Sequence, residues 1–534
     1  MEVMRKYPAG MQSFEKIRRE GYVYIDKTPL VYKMISEGGA YFLSRPRRFG
    51  KSLLISTLSA VFEGKRDLFE AFTTEDGVEQ PSLYITTTGW RWERYPVLRF
   101  DFSAGDLHTI EQLDELINVT LSSYEQQYNV VPVSKSANIR MINLLRTLHE
   151  KTGKRVVVLV DEYDNFILHA MGDKEKTEMA RQRFQNLFAP LKAEDEHLQF
   201  VFITGISKFS QMGIFSKLNS LTNISMVPMY ETLCGITEEE LVSNMQPDIR
   251  CLAEANRLSY DEQLAELKSM YDGYHFSEGM TDIYNPFSLV SVFKTQQVAS
   301  YWFDRGTSGA LIDMLRKLPS FDITQIESNV YPDTMFDLPF ESYDNPLPLL
   351  YQSGYLTIKA IEREYGQYLY TLGMPNNEVR YGFADCLYRY VAGDEGEPSR
   401  SMFFQAYVKF RRNNDLTTFI EAMKVFYAGL PYSWETDNRN EHYYHALLYT
   451  LLVSFGADVI AEEPTARGNT DMTLRMPNAI YVIELKYDRT ADEAIAQINE
   501  KGYADKYQLD GRPVIRVGIV FSSKKRNIID WRAE

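Results

Sequence analysis

The sequence has little cysteine and no long apolar run. Its three cysteines, Cys234, Cys251 and Cys386, are widely separated and lack the paired spacing of a zinc site or a disulfide framework. The longest aliphatic run, residues 156–160, is too short to cross a bilayer, and residues 1–10 lack the apolar stretch of a secretory signal. We therefore expect a cytoplasmic protein without a membrane partner.

Positive charge is also scarce. The net charge of -15 argues against non-specific coating of nucleic acid, because neutralisation of phosphates supplies most of that affinity. Basic residues gather locally within 45–51 and at Lys524, Lys525 and Arg526, and we interpret the second group as a solvated cluster. With 534 residues, 44% of them hydrophobic and 25% charged, the chain should fold into two to four globular domains.

A loop rich in arginine lies between two apolar segments. Residues 45–52 read Arg-Pro-Arg-Arg-Phe-Gly-Lys-Ser, the run at 40–44 predicts a buried strand, and residues 51–62 have apolar residues at helical spacing. In this arrangement the loop N–H groups cradle phosphates, Lys51 reaches the terminal ones and Ser52 holds magnesium. The nucleotide-binding residues predicted here are Arg47, Arg48, Phe49, Gly50, Lys51 and Ser52.

The tripeptide Gly-Lys-Ser is common by chance, and Arg45 stands where the phosphate-loop pattern has its first glycine. A β-branched run at 155–162 adds support because it ends in Asp161 and Glu162. In phosphoryl transfer the first acid orders magnesium and the second orients the attacking water. The alternative is a buried strand with an acidic turn.

Another strand, predicted at 199–204, leads into residues 204–207, where a polar group could sense the terminal phosphate or merely cap the strand. Alternating strands and helices predict a mainly parallel sheet with helices on both faces. Ligands of such sheets bind at the carboxyl ends of the strands, so we expect Ser52 and Asp161 to meet there.

Several segments together carry a family resemblance. The chain resembles the bacterial AAA-ATPase-like family of P-loop proteins over roughly its first 300 residues. This resemblance implies ATP binding, makes Arg45-Pro46 in place of glycine normal, and leaves open whether ATP is hydrolysed. The segments are 14–69, which includes 24–28 and 42–52, then 95–103, 161–164, 271–276 and 284–286.

The middle of the chain predicts a helical lid and a connector. Helical segments at 237–245, 260–271 and 286–294 favour a lid over the nucleotide site, with Tyr274, His275 and Phe276 as packing residues. A helix at 346–355 followed by a hairpin of 355–362 and 367–372 is compatible with a winged-helix-like connector. A DNA-binding module is the alternative, although no basic recognition helix is visible.

A third pattern lies near the end of the chain. Strands at 471–476 and 479–486 predict an antiparallel hairpin that brings Asp471 and Glu484 to one end of a sheet, and Lys486 shares a face with Glu484. Carboxylate oxygens suit Mg²⁺ or Mn²⁺, and Lys486 could hold or polarise the attacking water. The flanking helices are predicted at 441–455 and 491–502, with further strands at 458–462 and 514–521.

Spacing of this kind is frequent by chance, but the surrounding residues are similar to the PD-(D/E)XK nuclease superfamily, in the subgroup fused behind AAA-ATPase-like domains. The similarity covers about 430–522 and rests on 467–471, 481–486 and 493–498, with Lys501 and Tyr503. It implies that Asp471 and Glu484 bind metal and that Lys486 is catalytic. It also implies a supporting role for Gln497 and an additional metal ligand in Glu441, while His445 is interpreted as a packing residue.

These interpretations give an α/β protein with a P-loop domain at 1–230, a helical lid at 231–310, a connector at 311–400 and a restriction-endonuclease-like domain at 401–534. The leading hypothesis is an ATP-binding and ATP-hydrolysing domain that regulates a magnesium-dependent nuclease. The nuclease cleaves nucleic acid, and DNA is the favoured substrate. The rival is a non-enzymatic nucleotide switch that recruits a partner. RNA as substrate and homo-oligomer formation stay open, and no arginine finger is assigned.

Overall fold

A computed structural model describes residues 5–103, 105, 107–170, 173–207, 221–303, 330–332, 347–392, 397–429 and 441–534. The chain divides into two compact units, one from Met1–Trp302 and Val330–Asn376 and the other built on Asn377–Glu534. The division after Asn376 falls inside the range predicted as a connector. Within the described residues, no helix combines the length and apolarity needed to span a bilayer.

The first unit contains the following elements in chain order. Its helices are α1 Phe14–Arg19, α2 Thr28–Glu37, α3 Lys51–Phe62, α4 Ile110–Gln127, α5 Ala137–Thr152, α6 Asn165–His169, α7 Lys174–Phe188, α8 Pro190–Ala193, α9 Glu238–Asn256, α10 Tyr260–Tyr271, α11 Pro286–Thr295 and α12 Leu347–Ser353. Its strands are β1 Gly39–Ser44, β2 Phe72–Thr73, β3 Glu79–Gln80, β4 Val97–Asp101, β5 Val156–Asp161, β6 Leu198–Gly205, β7 Leu221–Asn223, β8 Ile236–Thr237, β9 Ile283–Tyr284, β10 Val330–Pro332, β11 Thr357–Glu364 and β12 Gln367–Gly373.

The central sheet of this unit is parallel, with strand order β4-β5-β6-β1-β7. Strand β5 is buried along its whole length, as expected for a β-branched strand covered on both faces. Asp161 lies opposite Asp101 of β4, and Ser44 of β1 lies opposite Gly205 of β6. The strand ends that carry the phosphate loop and Asp161 therefore lie at one edge, and the predicted parallel sheet is confirmed.

Local chemistry sets where the key helices begin. Gly50, with a φ of 90°, forms the N-cap of α3 in a conformation that favours glycine. Thr237 and Ser259 begin α9 and α10 with capping boxes, and Asn285 accepts hydrogen bonds from two backbone N–H groups of α11. The three helices predicted as a lid form where the sequence places them, although α9 continues through a kink at Met245 that precedes Pro247.

The hairpin predicted in the middle of the chain is present as β11 and β12, and β10 adds a third strand on the outer side of β12. This small sheet belongs to the first unit. The preceding helix, predicted at 346–355, is α12, and residue 346 lies outside the described residues.

The second unit has a mixed sheet of order β13-β14-β15-β16-β17, in which β15 and β16 are parallel and the other pairs antiparallel. The sequence predicts all of these strands except β17. The strands are β13 Asp458–Thr465, β14 Gly468–Arg475, β15 Ile480–Tyr487, β16 Val514–Ser522 and β17 Asn527–Ala533. The helices are α13 Asn377–Ala392, α14 Glu397–Asn413, α15 Leu416–Ala428, α16 Glu441–Ser454 and α17 Ala491–Lys501.

Alternation along β15 separates two hydrophobic clusters. Ile480 and Val482 pack in a cluster with Ile498 of α17, whereas Tyr481 and Leu485 belong to the larger cluster on the opposite face. Because side chains alternate with period two, Glu484 and Lys486 share the face of Ile480 and Val482. The strand therefore directs both polar side chains towards the α17 side of the sheet.

Candidate functional site

In the loop between β1 and α3, the Lys51 side chain folds back onto the loop's own backbone. The Lys51 ammonium donates hydrogen bonds of 3.0 Å to the carbonyl oxygens of Arg45 and Pro46. Lys51 and Ser52 are both buried at the start of α3. This arrangement places the cation and the hydroxyl next to the first turn of a helix, where backbone N–H groups favour anions.

Asp161, at the end of β5, is fully buried, and neither carboxylate oxygen completes a hydrogen bond with a described residue. Burial raises the pKa of Asp161 to about 6, the charge of Glu162 adds to the rise, and nearby Ser52 and Lys51 oppose it. A buried carboxylate without partners is costly, and its oxygens are ligands that Mg²⁺ prefers. Ser52 and Asp161 come together as expected, and their chemistry fits a divalent cation.

The arginine side chains of the loop have structural partners. The Arg45 guanidinium is buried and lies 4.2 Å from the centre of the Phe276 ring. Arg48 donates to the Tyr301 carbonyl at 3.0 Å and lies 4.1 Å from the centre of the Phe287 ring. Any contribution of Arg48 to phosphate binding would therefore come from its backbone N–H rather than its guanidinium. The carbonyl oxygens that accept from Arg45 are those of Ser44, Ser225, Tyr230 and Glu231.

An apolar cavity of about 110 Å³ adjoins Gly50. At its wall the Lys27 ammonium contacts a Glu240 carboxylate oxygen at 2.6 Å, which links the start of α2 to α9. Residues of the phosphate loop, of α9 and of α11 line the cavity together. Among the residues that line it are Tyr24, Ile25, Phe49, Leu53, Ile236 and Pro286.

Asp164 is a buried acid whose structural role the sequence did not reveal. Its Oδ2 atom accepts hydrogen bonds from the Ile206 N–H, the Ser207 N–H and the Ser207 hydroxyl at 2.6–3.0 Å. The Thr204 hydroxyl donates to the Leu43 carbonyl at 2.9 Å. These contacts fix the end of β6 to β5 and β1, so the polar residues after β6 have structural partners. The signal in the sequence was the position of Asp164 in the acidic box 161–164.

In the second unit, the hairpin of β14 and β15 brings the predicted residues together. Asp471 Oδ2 accepts a hydrogen bond of 2.7 Å from the Leu485 N–H. Lys486 Nζ lies 2.8 Å from Glu484 Oε1, and the Gln497 amide of α17 donates to the same oxygen. The four polar side chains of Asp471, Glu484, Lys486 and Gln497 therefore meet at one point of the sheet.

Burial controls the electrostatics of this point. Glu484 is 1% exposed, and burial, followed by the charge of Asp471, raises its pKa, while Lys486 opposes the rise. Burial also raises the pKa of Asp471, against the Leu485 N–H and Lys486. Glu484 Oε2 is buried without a hydrogen-bond partner among the described residues. Two adjacent carboxylates with an unpartnered oxygen fit a divalent cation, whose charge would offset their repulsion.

Glu441, predicted as an additional ligand, is the first residue of α16, but its side chain lies outside the described residues. Over the parts of the chain that the structure describes, no group of three or more His, Cys, Asp or Glu side chains is arranged to hold a metal ion. The described acids of the site are therefore Asp471 and Glu484.

His445 takes part in this site instead of only packing. Its Nε2 atom lies 2.6 Å from the Asp471 carbonyl oxygen, and its Nδ1 atom lies 3.8 Å from Glu462 Oε1. Glu462 falls between Ala461, opposite Met472, and Glu463, opposite Thr470, and it has a φ of 47°. Tyr503, also buried, lies close enough to Gln497 for a side-chain hydrogen bond that opposes the rise of the Tyr503 pKa.

A parallel sheet with a phosphate loop and an acid at the end of a neighbouring strand defines the first unit as a P-loop nucleotide-binding fold. A mixed sheet that presents Asp471, Glu484 and Lys486 defines the second as a nuclease-type fold. Residues 8–215 match the family model described as predicted AAA-ATPase, and residues 439–531 match that of the PD-(D/E)XK nuclease superfamily.

The chain is also 34% identical over 541 residues to an uncharacterized protein in the vnfD 5' region of Azotobacter chroococcum mcd 1, and the alignment covers 99% of both chains. The protein therefore belongs to the AAA-ATPase-like family and carries a C-terminal domain of the PD-(D/E)XK nuclease superfamily. Both resemblances inferred from the sequence are confirmed.

Proposed function

We propose that this protein binds and hydrolyses ATP in its first unit and cleaves nucleic-acid phosphodiester bonds in its second. DNA is the favoured substrate of the cleavage. The observation that carries the proposal is the convergence of Asp471, Glu484, Lys486 and Gln497 on one buried point where Glu484 Oε2 has no hydrogen-bond partner. A hydrolase that acts on phosphodiesters needs such acids beside a cation.

In the second unit the chain's own residues orient the reactants. Gln497 and Lys486 both bind Glu484 Oε1, which leaves Oε2 as the atom for a metal ligand. The Leu485 N–H likewise donates a hydrogen bond to Asp471 Oδ2 and so orients the Asp471 carboxylate. The chemistry that Mg²⁺ or Mn²⁺ supplies when bound is neutralisation of charge that develops on the scissile phosphate. The Lys486 ammonium holds the attacking water on the same face.

In the first unit Lys51 and the N–H groups of residues 47–52 bind the phosphates of ATP, and Ser52 and Asp161 hold its magnesium. Glu162 orients the water that attacks the terminal phosphate. The cavity next to Gly50 supports this proposal because it offers an apolar surface beside the phosphate loop.

ATP occupancy controls cleavage in this proposal. The supporting observation is the Lys27–Glu240 ion pair, which joins α2 to the lid helix α9 at the wall of the cavity, where a nucleotide would alter it. A ligand shifts such an equilibrium only if it binds one arrangement better than the other. The regulatory role therefore requires that loss of ATP binding change the cutting rate.

The test is incubation with linear, circular and single-stranded DNA and with RNA, with Mg²⁺ or Mn²⁺ and with or without ATP. We expect the parent to cut at least one substrate and Glu484→Ala to cut none. Cleavage by both would mean that another site, or a contaminant, is responsible.

The matched nucleotide-site variant is Lys51→Ala, which should lose ATP binding and ATP-dependent control while its metal-dependent site stays intact. If Lys51→Ala cuts as the parent does, with and without ATP, the regulatory part of the proposal is wrong. Nucleotide binding itself is measured by calorimetry, independently of cleavage.

A further inference from the structure

Two chain segments meet at the end of the sheet that carries Glu484 and Lys486. After β15 the chain passes through Asp488 and Arg489 into α17, and after β16 it turns at 523–526 into β17. The Asp488 carboxylate accepts a hydrogen bond of 2.9 Å from the Ser523 N–H. This contact holds the two segments side by side.

The register of β15 and β16 places this turn near the candidate nuclease site. The strands are parallel, and Lys486 lies opposite Val520. Lys524 follows Val520 by four residues, so strand geometry limits their separation along the sheet to about 13 Å. The turn therefore lies just beyond the carboxyl end of β15, on the sheet edge nearest Lys486.

The two segments expose three cations, Arg489, Lys524 and Lys525, which we call the basic edge. Within the described parts of the chain, none of the three forms an ion pair with a carboxylate. The pKa of Asp488 is lowered mainly by hydrogen bonds from Ser523, and the charge of Lys524 contributes least.

The other acids of this region have partners. Asp492 binds Arg532 at 2.5 Å, and the Glu493 carboxylate accepts the Thr490 N–H at 3.2 Å in the capping box of α17. The three cations of the basic edge form a local positive surface on a chain of net charge -15. Such a local positive surface favours a polyanion over other ligands.

We propose that the basic edge binds the phosphodiester backbone of a polynucleotide and guides it to the point where Asp471, Glu484 and Lys486 meet. This inference rests on the proposed nuclease function. Ammonium and guanidinium groups on a turn contact phosphates without reading bases, so binding here is independent of sequence. Sequence analysis interprets Lys524 and Lys525 as part of a solvated cluster, whereas their position beside the candidate nuclease site supports a binding role.

The test compares Lys524→Ala/Lys525→Ala in the full-length chain with Lys135→Ala/Lys192→Ala, which removes the same charge from exposed positions of the first unit. Binding of a fluorescent DNA duplex is measured by anisotropy at several salt concentrations, with a chelator present so that nothing is cut. Each lost phosphate contact lowers the slope of log affinity against log salt by about 0.9, so we expect a decrease of about 1.8 for the basic-edge variant.

The control should keep the parent slope, and Arg489→Ala should lower it by about 0.9. Equal urea midpoints for parent and variants would exclude a folding defect. A basic-edge variant with the slope and affinity of the control overturns the inference, and so does a parent that does not bind the duplex.

A separate cleavage assay that compares the parent with Glu484→Ala tests the proposed nuclease function. If Glu484→Ala abolishes cleavage but the salt slope is unchanged, the nuclease proposal stands and the basic edge is wrong. If the slope falls while Glu484→Ala cuts as the parent does, the surface stands and the assigned nuclease site is wrong.

Discussion

Replacement of Asp272 by asparagine should stabilise the first unit, and the gain should depend on pH. Asp272 ends α10 and is 2% exposed, and neither carboxylate oxygen completes a hydrogen bond with a described residue. Its Oδ2 lies 3.9 Å from Lys268 Nζ. Burial raises the pKa of Asp272 to about 7; Asp282 and Glu238 add to the rise, while the nearby Gly273 N–H and Lys268 oppose it.

The size of the effect follows from linkage. A rise from 3.8 to about 7 means that the folded chain binds this proton more tightly than the unfolded chain does. The ionised acid therefore costs stability above pH 7, by about 4 kcal/mol near pH 9, because each pKa unit is worth about 1.4 kcal/mol. The cost falls as the pH drops through 7 and is below about 1 kcal/mol near pH 4. Asparagine, which resembles the protonated acid, should remove this cost.

The assay is the free energy of unfolding in urea for parent and Asp272→Asn across this pH range. Asp261→Asn is the matched control, since Asp261 is an exposed acid in the first turn of the same helix. Removing it should cost about 0.3–1 kcal/mol through the helix dipole, the opposite sign. A gain for Asp272→Asn that is the same at both ends of the range would refute the reasoning.

Three further predictions concern the sites themselves. Arg45→Met should lower the free energy of unfolding by about 3 kcal/mol or more, because four carbonyl acceptors lose their donor, and urea titration would measure it. Gln497→Ala should weaken Mn²⁺ binding in calorimetry by about tenfold, since Glu484 loses an orienting hydrogen bond, and Gln497→Glu should not restore it. Asp164→Ala should reduce ATP turnover more than ATP binding, because the Ile206 and Ser207 N–H groups would lose their acceptor.

The parts of the fold that follow from local pattern could be predicted. The strand–loop–helix around Lys51 and the hairpin that joins Asp471 to Glu484 depend on apolar periodicity within short segments, and both are present. The sequence does not predict strand β17, because apolar and polar residues do not alternate along it. Ile528 and Ile529 are adjacent and both apolar, although the first is buried and the second exposed. Its pairing with β16 supplies what the local pattern lacks.

Side-chain partners distant in sequence could not be predicted. Arg45 lies in the predicted phosphate loop, yet its acceptors Ser225 and Glu231 lie about 180 residues further along the chain. His445 reads as packing, yet it binds the Asp471 carbonyl because α16 crosses the start of β14. Such roles depend on which elements pack together, and a single sequence does not state this.

Buried acids in this protein separate into two kinds, and the difference bears on function. Glu125 pairs with Arg140 at 2.6 Å, so the fold itself neutralises this charge. Among the described residues, none completes a hydrogen bond with either oxygen of Asp161 or with Oε2 of Glu484, and burial raises the pKa of both acids. A divalent cation would offset this penalty at both acids, which is the electrostatic basis of the two proposed metal sites. Asp272 shares the unpartnered oxygens and the raised pKa of this second pair but lies outside both sites, so its replacement tests the electrostatics without touching either.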